Sequence, residues 1–186
     1  GRVPPDEFIH LAEMSETIHA LSHWVIEHAI QQIKIWQSVN INIPVAINLS
    51  ARNLVDLSLP DTIETLLEQN NVESKWLEIE ITESAFISDP GRAESVVNDI
   101  NQLGISMAID DFGTGYSSLS YLKRLPIQTL KIDRSFVDDM LQDEQDAAIV
   151  HSTIGLAHSF GLTVIAEGVE NQDTLDALSA LNCEHA

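Results

Sequence analysis

Five short apolar segments, Pro44–Leu49, Trp76–Thr82, Ser106–Asp110, Thr129–Asp133 and Thr163–Glu167, alternate with stretches of helical periodicity, and this alternation constrains the fold most. Parallel strands need a helix-length crossover, so the pattern reads as successive βαβ units. The intervening helices are expected near Pro60–Gln69, Pro90–Leu103, Ser118–Arg124, Gln145–Phe160 and Thr174–Leu181. Pro90 stands where a first helical turn tolerates proline, and Gly104 and Gly161 stand where a helix closes on a left-handed residue.

Upstream, Val3-Pro4-Pro5 leads into a short helix carrying Phe8, Ile9, Leu11 and Ala12. From Glu16 to Gln37, Ile18, Leu21, Val25, Ala29, Ile33 and Trp36 recur at helical spacing and predict one long amphipathic helix. His19 and His23 lie four apart on it. The metalloprotease signature requires glutamate directly after the first histidine, where Ala20 stands, so the pair reads as an exposed helix face.

Period-two alternation sorts the strand residues into two faces. Val45, Ile47, Leu77, Ile79, Ile81, Met107, Ile109, Leu130, Ile132, Val164 and Ala166 form one that suits packing under helices. The other carries Asn48, Glu80, Asp110, Lys131 and Glu167 at or near the C-terminal strand ends. In a parallel sheet those ends converge on one mouth, where α/β barrels carry their chemistry.

The third strand ends in Asp110-Asp111 and runs into Phe112-Gly113-Thr114-Gly115-Tyr116-Ser117-Ser118. Adjacent carboxylates at an apolar strand end repel unless a cation sits beside them. The glycines let the following loop fold over a ligand or move as a lid. A solvated, Asx-capped turn is the plainer alternative. Asn48, Glu80, Asp110 and Asp111 offer only oxygen ligands, which suits magnesium or manganese and argues against zinc. Two such ions about 4 Å apart can clamp the attacking and leaving oxygens of a phosphodiester. Lys131 is then either a structural counter-ion or a fixed positive charge that orients water or stabilises charge on phosphate.

Nine basic residues against 29 acidic ones give a formal charge of −20, which disfavours long nucleic acids because phosphate backbones need Lys and Arg. A small anionic ligand would need a bridging metal. The single cysteine, Cys183, excludes an intrachain disulfide or a cysteine zinc site and fits a reducing cytoplasm. No apolar run approaches the roughly 20 residues of a membrane span, so direct membrane contact is not expected from this segment. Any membrane anchor is expected elsewhere in a parent protein.

The motifs Asn48-Leu49-Ser50, Glu80-Ile81-Thr82-Glu83-Ser84, Asp110 to Ser118, Leu130-Lys131-Ile132-Asp133 and Ala166-Glu167-Gly168-Val169-Glu170 occur in the order of the EAL domain, which this chain resembles. That family comprises bacterial phosphodiesterases that linearise cyclic di-GMP to pGpG. The resemblance implies an incomplete TIM-like (β/α)8 barrel with mostly parallel strands. It implies metal ligation by Asn48, Glu80, Asp110 and Asp111, with two magnesium or manganese ions. It makes Lys131, Glu167 and Asp111 the catalytic residues, with Lys131 aligning water and Glu167 as general base. Glu83 would anchor the lid Phe112–Ser118, Glu170 would support the site, and Ser50 and Arg52 would touch the ligand or its metal ligands. The implied partners are cyclic di-GMP, sensory or GGDEF-type domains of the parent chain, and a second copy in a homodimer.

Two departures from the family pattern shape the expectation. The glutamate of the Glu-Ala-Leu motif would precede Gly1, and the chain stops at Asn182-Cys183-Glu184-His185-Ala186, ahead of the family's last strand and Gln-Gly-Tyr motif. A full barrel takes roughly 250 residues. Residues 1–186 are therefore expected to form a single domain truncated at both ends, at most weakly active alone, within an active parent domain. The alternative is a catalytically inactive cyclic di-GMP receptor or protein-interaction module.

Overall fold

The computed structural model describes residues 3–86, 88–114 and 122–186. Two compact units emerge, one of Gly1–Ile81 with Ala85–Ser106, the other of Thr82–Ser84 with Met107–Ala186.

The first unit opens with helices α1 (Pro5–Glu13) and α2 (Thr17–Ser38). The buried apolar residues of α2 are Ile18, Ile26, Ala29, Ile30 and Ile33, of which Ile18, Ala29 and Ile33 belong to the predicted stripe. Leu21, Val25 and Trp36 of that stripe are only half-buried, so the buried face is rotated from the expected one. Asn40 in the left-handed region (φ 62°) turns the chain after the helix. Strand β1 (Val45–Leu49) pairs in parallel with β2 (Leu77–Thr82), in a register that sets Ile47 beside Ile79 and Asn48 beside Glu80. Between them runs α3 (Leu59–Asn70), which buries Ile63, Leu66 and Leu67 and closes at left-handed Asn71. Helix α4 (Pro90–Gln102) starts at Asp89, whose Oδ1 accepts the Arg92 amide at 3.2 Å, and ends before Gly104 at φ 83°. Leu77, Ile79, Ile81, Val96, Val97 and Ile100 are all fully buried. Each such side chain contributes about 1.5–3 kcal/mol by leaving water, so this apolar face stabilises the unit.

In the second unit, β3 (Ser106–Phe112), β4 (Thr129–Ile132) and β5 (Thr163–Ala166) run parallel. Helix α5 (Arg134–Asp139) follows β4, α6 (Glu144–Ser159) crosses back to β5, and α7 (Gln172–Ala180) follows it. All three have side-chain caps. Asp133 accepts the Ser135 amide at 2.9 Å, Asp143 that of Gln145 at 2.7 Å, and Asn171 that of Thr174 at 2.9 Å. Such caps satisfy donors that the first helical turn leaves unpaired. Past α7, His185 bridges Ile165 in parallel, its amide donating to Val164 O at 3.1 Å.

Several details differ from the sequence expectation, among them the starts of β1 and β2, each one residue later than expected. Helix α5 is additional, because its six residues are too few to show a periodicity. Strand β3 runs two residues further, through an irregularity. Strands β4 and β5 stop one residue earlier, leaving Asp133 and Glu167 just beyond their ends. The helix expected at Ser118–Arg124 lies outside the described residues from 118 to 121.

Candidate metal and phosphodiester site

The irregularity in β3 shapes the acidic centre. Ile109 pairs with Leu130 and Phe112 with Ile132, so β3 spends three steps where β4 spends two. This is a β-bulge, which adds one residue and re-aims its side chains. Asp111 absorbs the turn in the left-handed region (φ 53°), a conformation aspartate tolerates better than most residues. Period-two alternation would send Asp110 and Asp111 to opposite faces. Instead, one carboxylate oxygen from each of Asp110, Asp111 and Glu167 lies within 4.8 Å of the others.

Lys131, 9% exposed, stands among these acids. Its Nζ is 3.2 Å from Asp110 Oδ1 and 2.5 Å from Glu167 Oε1. Asp110 Oδ1 also accepts the Asp111 amide at 3.1 Å. One lysine cannot neutralise this much negative charge. Burial first, then the charges of Asp110, Asp133 and Glu167 and a hydrogen bond with Asp133, push the Asp111 carboxyl up to about 6 from an ordinary 3.8. Burial also raises Asp133, but hydrogen bonds from the Ser135 hydroxyl and amide, from Asp111 and from the Arg134 amide outweigh it and hold Asp133 low. A proton shared by two carboxyls marks where positive charge is wanted, and a divalent cation with oxygen ligands supplies it better. The residues therefore fit magnesium or manganese.

Glu83 begins a short turn of 3₁₀ helix, Glu83–Phe86. Its Oε2 accepts the Gly113 amide at 3.3 Å, while its buried Oε1 has no hydrogen-bond partner among the described residues. Gly113, at φ 103°, packs so closely on Phe136 that a Cβ there would lie 3.0 Å from the ring. Of the expected lid, residues 115–118 lie outside those described.

In the first unit, Asn48 Nδ2 donates to Glu80 Oε2 at 3.1 Å, a direct product of their register, and Glu80 is 9% exposed. The Ser50 amide and hydroxyl both donate to Asn53 Oδ1, at 3.2 and 3.0 Å, and Arg52 is exposed. Glu170 is exposed and bonded to Arg134. Sequence reasoning missed Asn53 and Arg134, and it gave Asp133, a member of the Leu130-Lys131-Ile132-Asp133 motif, no role of its own. Asn53 is buried and also accepts from the Ser22 hydroxyl at 2.9 Å, organising the turn after β1. Its one local signal is the Ser50-x-x-Asn53 spacing, while that of Asp133 is the Asp-x-Ser cap.

The EAL domain model matches residues 1–186, and the chain belongs to the EAL domain family. It is 39% identical over 183 residues to the cyclic di-GMP phosphodiesterase PA2567 of Pseudomonas aeruginosa, covering 98% of this chain and 31% of that protein. The cyclic di-GMP phosphodiesterase PdeR of Escherichia coli is 40% identical over 171 residues, 92% of this chain and 26% of PdeR. The chain thus spans less than a third of these curated relatives. Among solved structures, a c-di-GMP complex of the PaMucR phosphodiesterase superposes with a TM-score of 0.91 at 36% identity, covering 97% of this chain and 74% of that one. The fold is accordingly that of the EAL structures, an incomplete TIM-like (β/α)8 barrel with parallel strands. No helix among the described residues is long and apolar enough to cross a membrane.

Proposed function

We propose that the parent domain is a metal-dependent phosphodiesterase that hydrolyses cyclic di-GMP to linear pGpG in bacterial signalling. The observation that carries this reading is the Asp110, Asp111, Lys131 and Glu167 cluster, an acidic centre with one embedded cation, in a chain whose relatives are named for that activity.

Asp110 and Asp111, with Asn48 and Glu80 of the family motifs, are the proposed ligands of magnesium or manganese. When bound, the metal polarises the phosphodiester and lowers the pKa of water. Glu167 takes a proton from the attacking water as the water oxygen bonds to phosphorus; the bond from phosphorus to the ribose 3′ oxygen breaks, and that oxygen takes a proton from solvent to leave as the free 3′ hydroxyl. Lys131 holds Glu167 in place through their ion pair, and its charge faces the developing negative charge on phosphate. Glu83 holds Gly113, and with it the turn that carries Asp110 and Asp111. Sensory or GGDEF-type domains of a longer chain and a second copy are the proposed partners, and the cytoplasm the proposed compartment.

The test is turnover by the full-length protein with magnesium or manganese, beside the Glu80→Ala, Asp110→Ala and Glu167→Gln variants. Glu167→Gln is expected to lower kcat about 100-fold, the scale of one general base, and the two alanine variants to abolish metal-dependent turnover. Undiminished hydrolysis in all three would refute the site assignment. Tight cyclic di-GMP binding without product in either metal would make the domain a receptor.

A further inference from the structure

We propose that Arg134, the first residue of α5, is a positioning residue that holds Glu167 against Lys131. The kinetic part of the test rests on the phosphodiesterase reading; the geometry does not.

Glu167 lies one residue beyond the end of β5, where a single backbone hydrogen bond still ties it to β4. Its amide donates to Ile132 O at 3.2 Å. Directly after it, Gly168 turns the chain at φ 76°. The place where a Cβ at 168 would stand is already filled by the Arg134 stem, whose Cδ would be 2.9 Å and Cβ 3.0 Å away, with Cγ closer still. The loop backbone therefore lies directly on the arginine's methylenes, the kind of apolar coverage that long basic side chains provide. Beyond the stem the guanidinium divides its donors. Nε donates to Asp138 Oδ2 at 2.8 Å, one helical turn further along α5, and Nη2 donates to Glu170 Oε1 at 3.2 Å.

Glu167 is thus restrained on both sides, by the strand before it and by the arginine under and beyond Gly168. The segment from Lys131 to Arg134 supplies both the ammonium that pairs with Glu167 and the arm that holds its loop. The Asp133 cap fixes where α5 begins and so where that arm leaves the backbone. The Arg134 and Glu170 side chains are 60% and 71% exposed, and pairs so exposed add little to stability. The consequence of losing Arg134 falls on geometry, because misplacing a reacting group by about 1 Å costs orders of magnitude in rate.

The experiment compares the full-length protein with its Arg134→Ala, Arg134→Lys, Glu170→Ala and Arg134→Ala/Glu170→Ala variants. It measures kcat and KM for cyclic di-GMP with manganese, thermal unfolding, and amide hydrogen exchange across residues 167–170. Arg134→Ala is expected to lower kcat about tenfold, the scale of one charge-assisted contact, with KM and melting temperature unchanged and exchange at 167–170 accelerated. Arg134→Lys keeps the stem and the charge and should recover part of both losses. Adding Glu170→Ala to Arg134→Ala should cost nothing more. Wild-type kcat and exchange in Arg134→Ala, or a loss traced wholly to unfolding, would overturn the proposal. If the unsubstituted protein fails to turn over cyclic di-GMP, the phosphodiesterase reading falls, and exchange decides alone. Faster exchange in Arg134→Ala, relieved in Arg134→Lys, upholds the positioning role, and unchanged exchange refutes it.

Discussion

Asp111 shows how one residue records the charge of its surroundings. Its carboxyl, raised to about 6 by burial and by neighbouring acids, binds a proton in the folded, metal-free protein that the unfolded chain gives up near 3.8. A folded value above the unfolded one stabilises the fold below the unfolded pKa, and that contribution is lost as pH rises through the folded pKa. The metal-free protein should therefore lose stability relative to Asp111→Asn between pH values of about 4 and 6. Urea unfolding of both proteins across that window checks it, and a constant difference would exclude the coupling. Asn53 makes a different residue-scale case. It accepts three hydrogen bonds, from the Ser22 hydroxyl and from the Ser50 amide and hydroxyl, and is 2% exposed. Asn53→Ala should destabilise by about 2–3 kcal/mol, because it strands buried donors, as chemical denaturation would show.

Among the elements, the bulged β3 and the short α5 matter most. Gly113 must hold φ 103° against the ring of Phe136, where a Cβ would stand 3.0 Å away. Gly113→Ala combines backbone strain with crowding and is expected to destabilise by about 1–3 kcal/mol. It should also weaken manganese binding, because Gly113 lies two residues after Asp111 in the same turn. Calorimetric titration of the variant with manganese tests this, and unaltered affinity would show that the turn does not set the carboxylate geometry. Helix α5 escaped the periodicity argument, since six residues span less than two turns. Its start was still legible as the Asp133-x-Ser135 cap.

For the whole chain, the dominant quantity is the net charge of −20. Charge so far from zero destabilises a compact state by self-repulsion, and salt screens it. Raising sodium chloride from about 0.02 to about 0.5 M at neutral pH should therefore raise the melting temperature of the metal-free protein. A fall with salt would mean that local ion pairs such as Lys131 with Asp110 and Glu167 outweigh the overall repulsion.

Sequence alone determined the parallel βα construction, because buried strands and amphipathic helices leave different apolar periods along the chain. It also marked Asn48, Glu80, Asp110, Lys131 and Glu167 as members of one strand face, which alternation makes legible without coordinates. Tertiary structure decided what lies off that period. The bulge that turns Asp111 to the side of Asp110 depends on how β3 pairs with β4, and no local rule specifies it. The Asn53 hub gathers donors from α2 and from the turn after β1, and the Arg134 arm reaches Glu170 from 36 residues away. Such contacts follow from packing between distant segments, whose spacing in the chain carries no period to read.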